Sequence, residues 1–291
     1  MRVIVFIFFI LLALFPSTFG QQEKFAINNK HLSFDAVELL DARIPPSETP
    51  IANQPVDNIP ILLTLSPPET HPNDRVISHT GYSFLYSETH EQASWVAYEL
   101  TQEKTRKIFE RTDKFLTDPF VLTGTSTHTD YRWSGYDRGH LAPAADMAWA
   151  GKAMAESFYY SNISPQNPGF NRGIWNRMER LVRTWAMEHH AVYIVTGPVL
   201  SEGLAKIGAN QVSVPAYFYK VVLDYREPDL KGIGFIFPNT GSKKALQHFA
   251  VSIDSVERFT AINFFPFLGE TQEHLLEKTL CIACWSWKSV K

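Results

Sequence analysis

Asp137-Arg138-Gly139-His140 sets a histidine close to an arginine and an acid, and Asn171 and Glu179 follow downstream. Together these are the parts needed to cut a phosphodiester with one divalent metal. An imidazole can take a proton from water near neutral pH. A side-chain amide such as that of Asn171 offers a neutral oxygen to a hard cation such as Mg²⁺. A guanidinium can hold phosphate oxygens in its fork of N–H donors. Gly139 would let the backbone turn tightly and let a substrate come close, and Leu141-Ala142-Pro143 would anchor that turn in apolar packing. The chain has 10 His, so it is these neighbours that single out His140.

The elements that must position these groups can be read from spacing. Asn171 to Glu188 is the strongest helical stretch, with Trp175, Met178, Val182 and Trp185 as its buried stripe. Asn171 follows Pro168-Gly169-Phe170, which places it at the helix N-terminus, where free N–H groups and the dipole favour phosphate. Asn171, Trp175 and Glu179 then share a face. The plainer alternative is that Asn171 only caps the helix and Glu179 only pairs with Arg183. Arg172, Arg177, Arg180 and Arg183 cluster on this helix, with Arg111 and Arg138 upstream. They form either a solvated basic face or a strip that follows a phosphate backbone.

Around this helix, Tyr82 to Tyr86 suits a strand, and Ala93 to Leu100 suits strand or helix, with strand preferred. Thr123 to Tyr136 and Ser161 to Phe170 read as loops, and Ala144 to Tyr159 as a helix with Met147, Ala150, Met154 and Phe158 at helical spacing. Ala191 to Thr196, Tyr217 to Leu223 and Gly232 to Phe237 read as strands. Lys243 to Ala250 and Thr271 to Leu280 are short helices in composition. Without a regular βαβ repeat, the mixture predicts an α+β architecture.

With 291 residues the chain can hold one large domain, and its 21 Phe, 11 Tyr and 7 Trp supply a core. A net charge of −3 argues against a histone-like basic coat but leaves room for a local basic cleft. Arg2, the apolar run Val3 to Leu14 and Thr18-Phe19-Gly20 predict a signal peptide over residues 1–20, with an uncleaved anchor as the alternative. This implies export to the periplasm or the extracellular medium, with no stable membrane association once the leader is removed. Residues 21–80 are a Pro-rich N-terminal extension, and 81–291 the functional domain. Cys281 and Cys284 read as a small disulfide or two buried thiols. Asn162-Ile163-Ser164 fits a glycosylation sequon. No G-x-S-x-G, H-E-x-x-H or P-loop pattern is present.

Tyr136 through Pro143 resembles the signature of the DNA/RNA non-specific endonucleases, the ββα-metal nucleases that include endonuclease G. Ser161 to Gln166, Phe170 to Trp175 and then Glu179 resemble that family's metal-binding loop and helix in order and spacing. Arg111 through Phe115 to Asp118 resembles an upstream arginine motif. Thr196-Gly197-Pro198, Val214-Pro215 with Tyr219-Lys220, and Phe264-Phe265-Pro266 resemble later strands and turns. The likeness runs from about Tyr82 to about Pro266, and Ala261 departs from it where glycine is expected. The resemblance implies a ββα-metal core in which a mostly antiparallel sheet is flanked by helices. It implies His140 as the base, Asn171 as the direct ligand of one Mg²⁺ (Mn²⁺ in its place), and Glu179 holding that ion through water. Arg138 and Arg111 would contact phosphate, with Asp137, Gly139 and Asn162 in support and Arg172 and Arg177 binding substrate. DNA and RNA are then the partners, recognised through their backbones and cut to leave 5′-phosphate ends. A homodimer is compatible with the sequence. Two other functions remain open: a phosphodiesterase for nucleotides or other small diesters, and a nucleic-acid-binding module without catalysis.

Overall fold

Strands dense in Val, Ile, Phe and Tyr build one seven-stranded sheet, because each alternates its side chains between two apolar layers. The computed structural model describes residue 68 and residues 75–226, 230–266, 268 and 270–288. The chain divides into two units, Met1–His31 and Leu32–Lys291, and every described residue lies in the second. The leader expected over residues 1–20 lies outside the described residues, as does most of the extension expected over 21–80. Among the described residues no helix is long and apolar enough to cross a membrane.

The strands are β1 (Val76–Ser78), β2 (Ser83–Ser87), β3 (Gln92–Thr101), β4 (Asp137–His140), β5 (Ile163–Gln166), β6 (Ala191–Pro198), β7 (Lys206–Ile207), β8 (Val212–Ser213), β9 (Tyr217–Asp224), β10 (Lys231–Pro238) and β11 (Ala250–Val251). The helices are α1 (His128–Tyr131), α2 (Gly151–Glu156), α3 (Asn176–Glu188), α4 (Ile253–Thr260) and α5 (Glu270–Lys278). The main sheet runs β1-β2-β3-β6-β9-β10-β11, and every neighbouring pair is antiparallel. Val96, Tyr98, Ile194, Phe218, Val222 and Phe235 face one layer, where Met178, Leu181, Val182 and Trp185 of α3 cover them. Trp95, Tyr193, Val195, Tyr219 and Val221 face the other, under Ile253, Val256 and Phe259 of α4 and Leu276 of α5. This is the α+β architecture expected, with an antiparallel sheet between helical layers.

Several local expectations are corrected. Ser161 to Phe170 is not only a loop, since β5 pairs antiparallel with β4, Pro165 lying opposite Arg138. Proline is tolerated because a two-stranded sheet leaves an open outer edge, and its carbonyl accepts from Asn239 Nδ2 at 3.1 Å. Ala144 to Tyr159 is not one helix. A 3-10 turn, Ala144–Met147, is followed by extended Ala150 (φ −140°, ψ 137°) and then α2. Here the buried Asp146 carboxylate overrides helical propensity, tied to Tyr98 Oη at 2.8 Å and Arg183 Nη1 at 2.6 Å. Lys243 to Ala250 gives a 3-10 turn and β11, because Phe249 packs on Phe237 at 4.9 Å and the chain after it pairs with β10. Within the Thr123 to Tyr136 loop, α1 forms through a capping box between Thr127 and Asp130. Cys281 and Cys284 are disulfide-bonded. Next to them Trp285 packs on Trp185 of α3, ring centroids 4.4 Å apart.

Two positions yield stability predictions. Ala261 ends α4 in the left-handed region (φ 59°, ψ 28°), with its N–H on Glu257 O at 2.7 Å. A Cβ there is strained, so Ala261→Gly should raise the stability by about 1 kcal/mol, seen as a higher midpoint in urea unfolding. Gly139 has no turn to make. Its backbone is in β4, and a Cβ would overlap Cδ and Oε1 of the fully buried Gln166. Gly139→Ala should therefore lower the same midpoint, by about 1–3 kcal/mol.

Candidate active site

Two hydrogen bonds join β4 to the helical segment that follows β5. Asn171 Nδ2 donates to Asp137 Oδ2 at 3.0 Å, and Trp175 Nε1 donates to the His140 carbonyl at 3.3 Å. Three residues along a strand and four along a helix thus run side by side. This brings the Asp137–His140 segment and the Asn171 turn to one place. The segment starts with helical turns at residues 168 and 169 and continues as a π-helix over Phe170–Trp175 before α3. Such wide turns are common at functional sites.

Arg111, Phe115, His128, Asp137, Arg138 and Asn171 line a cavity of about 340 Å³, together with Asp113, Tyr131, Arg132 and Tyr136. His140, at the end of β4 and 7% exposed, is not itself a lining residue and adjoins the cavity through Phe115, which is. Its ring meets Phe158 edge-on at 4.9 Å and Phe115 at 5.6 Å. Burial in this apolar box, with the positive Arg111 and Arg138 nearby, lowers its pKa to about 3. The imidazole is therefore neutral at pH 7. Its Nε2 is buried and has no hydrogen-bond partner among the described residues. An orphaned buried nitrogen costs about 1–3 kcal/mol, which a water or a substrate group would recover.

The rings that box the histidine also seat the arginines. The Arg138 guanidinium lies 3.9 Å from the Phe115 centroid, and that of Arg111 lies 4.9 Å from Phe158. Each ring braces one guanidinium, and the N–H donors not engaged by His128 and Asp113 could meet a phosphate. Arg111 Nε also donates to Asp113 at 2.6 Å.

Asp137 accepts a two-pronged pair from Arg172 (2.8 and 2.6 Å) besides the Asn171 bond. Burial works against the Asp137 carboxylate, but the Arg172 and Asn171 bonds outweigh it and hold its pKa below the ordinary value. With its nitrogen on Asp137, Asn171 has Oδ1 left for a cation at the cavity. Among the described residues no group of three or more His, Cys, Asp or Glu could cage a metal. A single amide oxygen suits a hard cation that keeps most of its water, which is how Mg²⁺ behaves. The expectation that Asn171 starts the helix is corrected. Its N–H is already bonded to Asn167 O at 2.9 Å, and Asn167 Oδ1 caps the segment through Gly169 N at 2.9 Å. What Asn171 can offer a ligand is its side chain and not a free helix-terminal N–H.

Glu179 is half-buried, one turn into α3. Burial raises its pKa against the pull of Arg183 and Lys220. Its partner at i+4, Arg183, is tied to Asp146. Asn162 is fully buried: Oδ1 accepts from Ala142 N at 2.9 Å, and Nδ2 donates to Ala142 O at 2.9 Å and Ser157 O at 2.8 Å. It clamps the chain after His140, and in this position the sequon is closed to glycan attachment. The arginines of the π-helix and α3 do not form one strip. Arg172 is spent on Asp137, Arg177 Nη2 on Lys244 O at 2.7 Å, and Arg183 on Asp146, while Arg180 is exposed.

Spacing alone missed Lys220. It lies between Phe218 and Val222 on the α3 side of β9 and is fully buried. Its Nζ, 4.6 Å from the Trp175 ring, has no hydrogen-bond partner among the described residues. Burial lowers its pKa, opposed by Glu179 and Asp146. A lysine inside an otherwise apolar strand was the available signal. Phe115 stood out only as part of the upstream arginine motif and Phe158 only in an apolar stripe, and neither signal pointed to the desolvation of His140.

Comparison with known proteins agrees with this geometry. The family model for the DNA/RNA non-specific endonucleases matches residues 65–269. The mitochondrial nuclease EXOG of Danio rerio is 36% identical over 211 residues, 67% of this chain and 62% of the relative. The mitochondrial endonuclease G of Bos taurus is 35% identical over 204 residues, 65% of this chain and 68% of the relative. The chain thus spans somewhat less than two thirds of the EXOG length. A crystal structure of an EndoG/EndoGI complex matches with a TM-score of 0.63 and 34% identity, covering 68% of this chain and 89% of that one. These relatives correct the expectation of export to periplasm or medium, since both curated ones are mitochondrial proteins. An apolar run behind one arginine is an address read by a receptor, and its hydrophobicity does not name the membrane. By its matched length, its ββα geometry and its likeness to endonuclease G, this chain belongs to the DNA/RNA non-specific endonuclease family.

Proposed function

We propose that the chain is a metal-dependent, sugar-non-specific endonuclease that hydrolyses phosphodiester bonds of DNA and RNA, with His140 as the base. The observation that carries this reading is the neutral, buried and unpartnered Nε2 of His140 beside a cavity lined by Arg111, Arg138 and Asn171. Asn171 Oδ1 would hold one Mg²⁺, or Mn²⁺ in its place, and Glu179 would reach the ion through water. When bound, the ion supplies positive charge to the phosphate oxygens and the departing 3′ oxygen. His140 Nε2 accepts the proton of a water in line with phosphorus as its oxygen bonds there and the P–O3′ bond breaks. Arg138 and Arg111, braced on Phe115 and Phe158, meet the charge that grows on the equatorial oxygens. Asp137 orients Asn171, and Asn162 holds the turn after His140. The departing 3′ oxygen takes a proton from solvent water, so the products carry 5′-phosphate and 3′-hydroxyl ends. Contacts to phosphate and sugar leave sequence preference weak.

Digestion of plasmid and RNA with and without Mg²⁺ tests the reading. Cleavage should stop in EDTA, and His140→Ala should lose at least about 100-fold in rate while keeping its circular dichroism spectrum. A His140→Ala protein that digests as fast as the parent would remove the base. Rapid turnover of bis(4-nitrophenyl) phosphate with plasmid and RNA left intact would favour a small-diester phosphodiesterase. The pH profile has a definite sign. His140, lowered, stays neutral through pH 5–7, whereas Glu179, raised, loses its carboxylate as the pH falls through that range. The acid limb of kcat/KM is therefore expected to move to lower pH in Glu179→Gln, on a slower enzyme. An unmoved acid limb would contradict the assignment.

A further inference from the structure

Tyr131 to Ser134 form a type II turn. Ser134 N donates to Tyr131 O at 3.2 Å, Arg132 has φ −62° and ψ 124°, and Trp133 has φ 61°. The third residue of such a turn requires positive φ and favours glycine. Tryptophan there is strained. Trp133 is also 89% exposed, the highest value of any large apolar side chain among the described residues. Backbone strain works against folding, and an indole left in water contributes no burial to offset it; here the two coincide on one residue. That residue adjoins the site. Arg132 and Tyr136 line the same cavity as Arg111, Arg138 and Asn171, and the Arg132 guanidinium lies 5.5 Å from the Trp133 ring centroid.

We infer that Trp133 is a stacking platform for an unpaired nucleobase of the substrate, with Arg132 beside it to meet an adjoining phosphate. This inference rests on the nuclease reading above. A flat exposed indole next to a cation matches the two repeating features of a nucleic-acid strand, the π-face of each base and the charge between bases. Every base has such a face, so the contact is sequence-tolerant. In a regular duplex the bases are stacked on one another and paired, and none is free to occupy the indole. The platform therefore favours single-stranded or distorted DNA and RNA over intact duplex.

Trp133→Gly separates strain from binding, because it relaxes the turn and removes the ring. Its melting temperature should rise by about 3 °C. On a His140→Ala background in Mg²⁺, labelled oligothymidylate should bind about ten-fold more weakly by fluorescence anisotropy. In otherwise intact protein, cleavage of single strands should fall by a similar factor at low substrate, with bis(4-nitrophenyl) phosphate turnover unchanged. Trp133→Phe should recover most of the binding. Equal oligothymidylate affinity with and without the indole overturns the platform alone. An equal loss on single strands, duplex and the small reporter also overturns it, by showing a general disturbance of the site. A parent protein that turns over the reporter yet neither binds nor cuts nucleic acid overturns the nuclease reading, and the platform with it.

Discussion

The site depends on the join between a four-residue strand and a helix. Asp137 receives Asn171, and the His140 carbonyl receives Trp175. Neither bond is strong by itself, each contributing about 1 kcal/mol, or somewhat more where a carboxylate accepts. Their effect is geometric. They lock β4 against the segment that carries the Asn171 amide, and Trp175 is at once the donor to the His140 carbonyl and the ring that Lys220 Nζ packs on. Arg172 completes the Asp137 carboxylate, so a residue that would read as a phosphate contact is committed to the scaffold.

Burial is used with opposite signs around this join. Phe115 and Phe158 exclude water from His140 and keep its imidazole neutral, while stacking the two arginines that would otherwise be loosely placed. Behind the helix, Asp146, Arg183, Glu179 and Lys220 form a buried set of alternating charge. Asp146 and Lys220 are fully withdrawn from water and Glu179 and Arg183 partly so, and removing one member would leave an uncompensated charge. Arg183 of α3 is bonded to Asp146 in the chain after His140, so the His140 segment and the helix that follows Asn171 share one support.

The frame around them is ordinary hydrophobic construction. Two apolar layers sandwich an antiparallel sheet, and the strands alternate between them. The break after Met147, the pairing of Pro165 in β5 and the left-handed Ala261 all depart from local preference. In the first two the competing influence is a specific tertiary contact, Asp146 with Arg183 and Asn239 with the Pro165 carbonyl.

Much of the architecture was legible from residue order alone. Tyr82 to Tyr86, Ala191 to Thr196, Tyr217 to Leu223 and Gly232 to Phe237 are strands, as their β-branched and aromatic content and, for the last three, their Gly, Pro or Asn boundaries predict. The stripe of Trp175, Met178, Val182 and Trp185 likewise marks a helix face buried in the core. The motif around His140 pointed to the family through its residue types. Contacts distant in sequence settled the rest: which nitrogen of the site lacks a partner, that Arg172, Arg177 and Arg183 serve three different acceptors, and that Lys220 lies under Trp175. Periodicity reports which face of an element is apolar. It carries no information on which residue 30 or more positions away will meet that face, and desolvation and hydrogen bonding depend on that meeting.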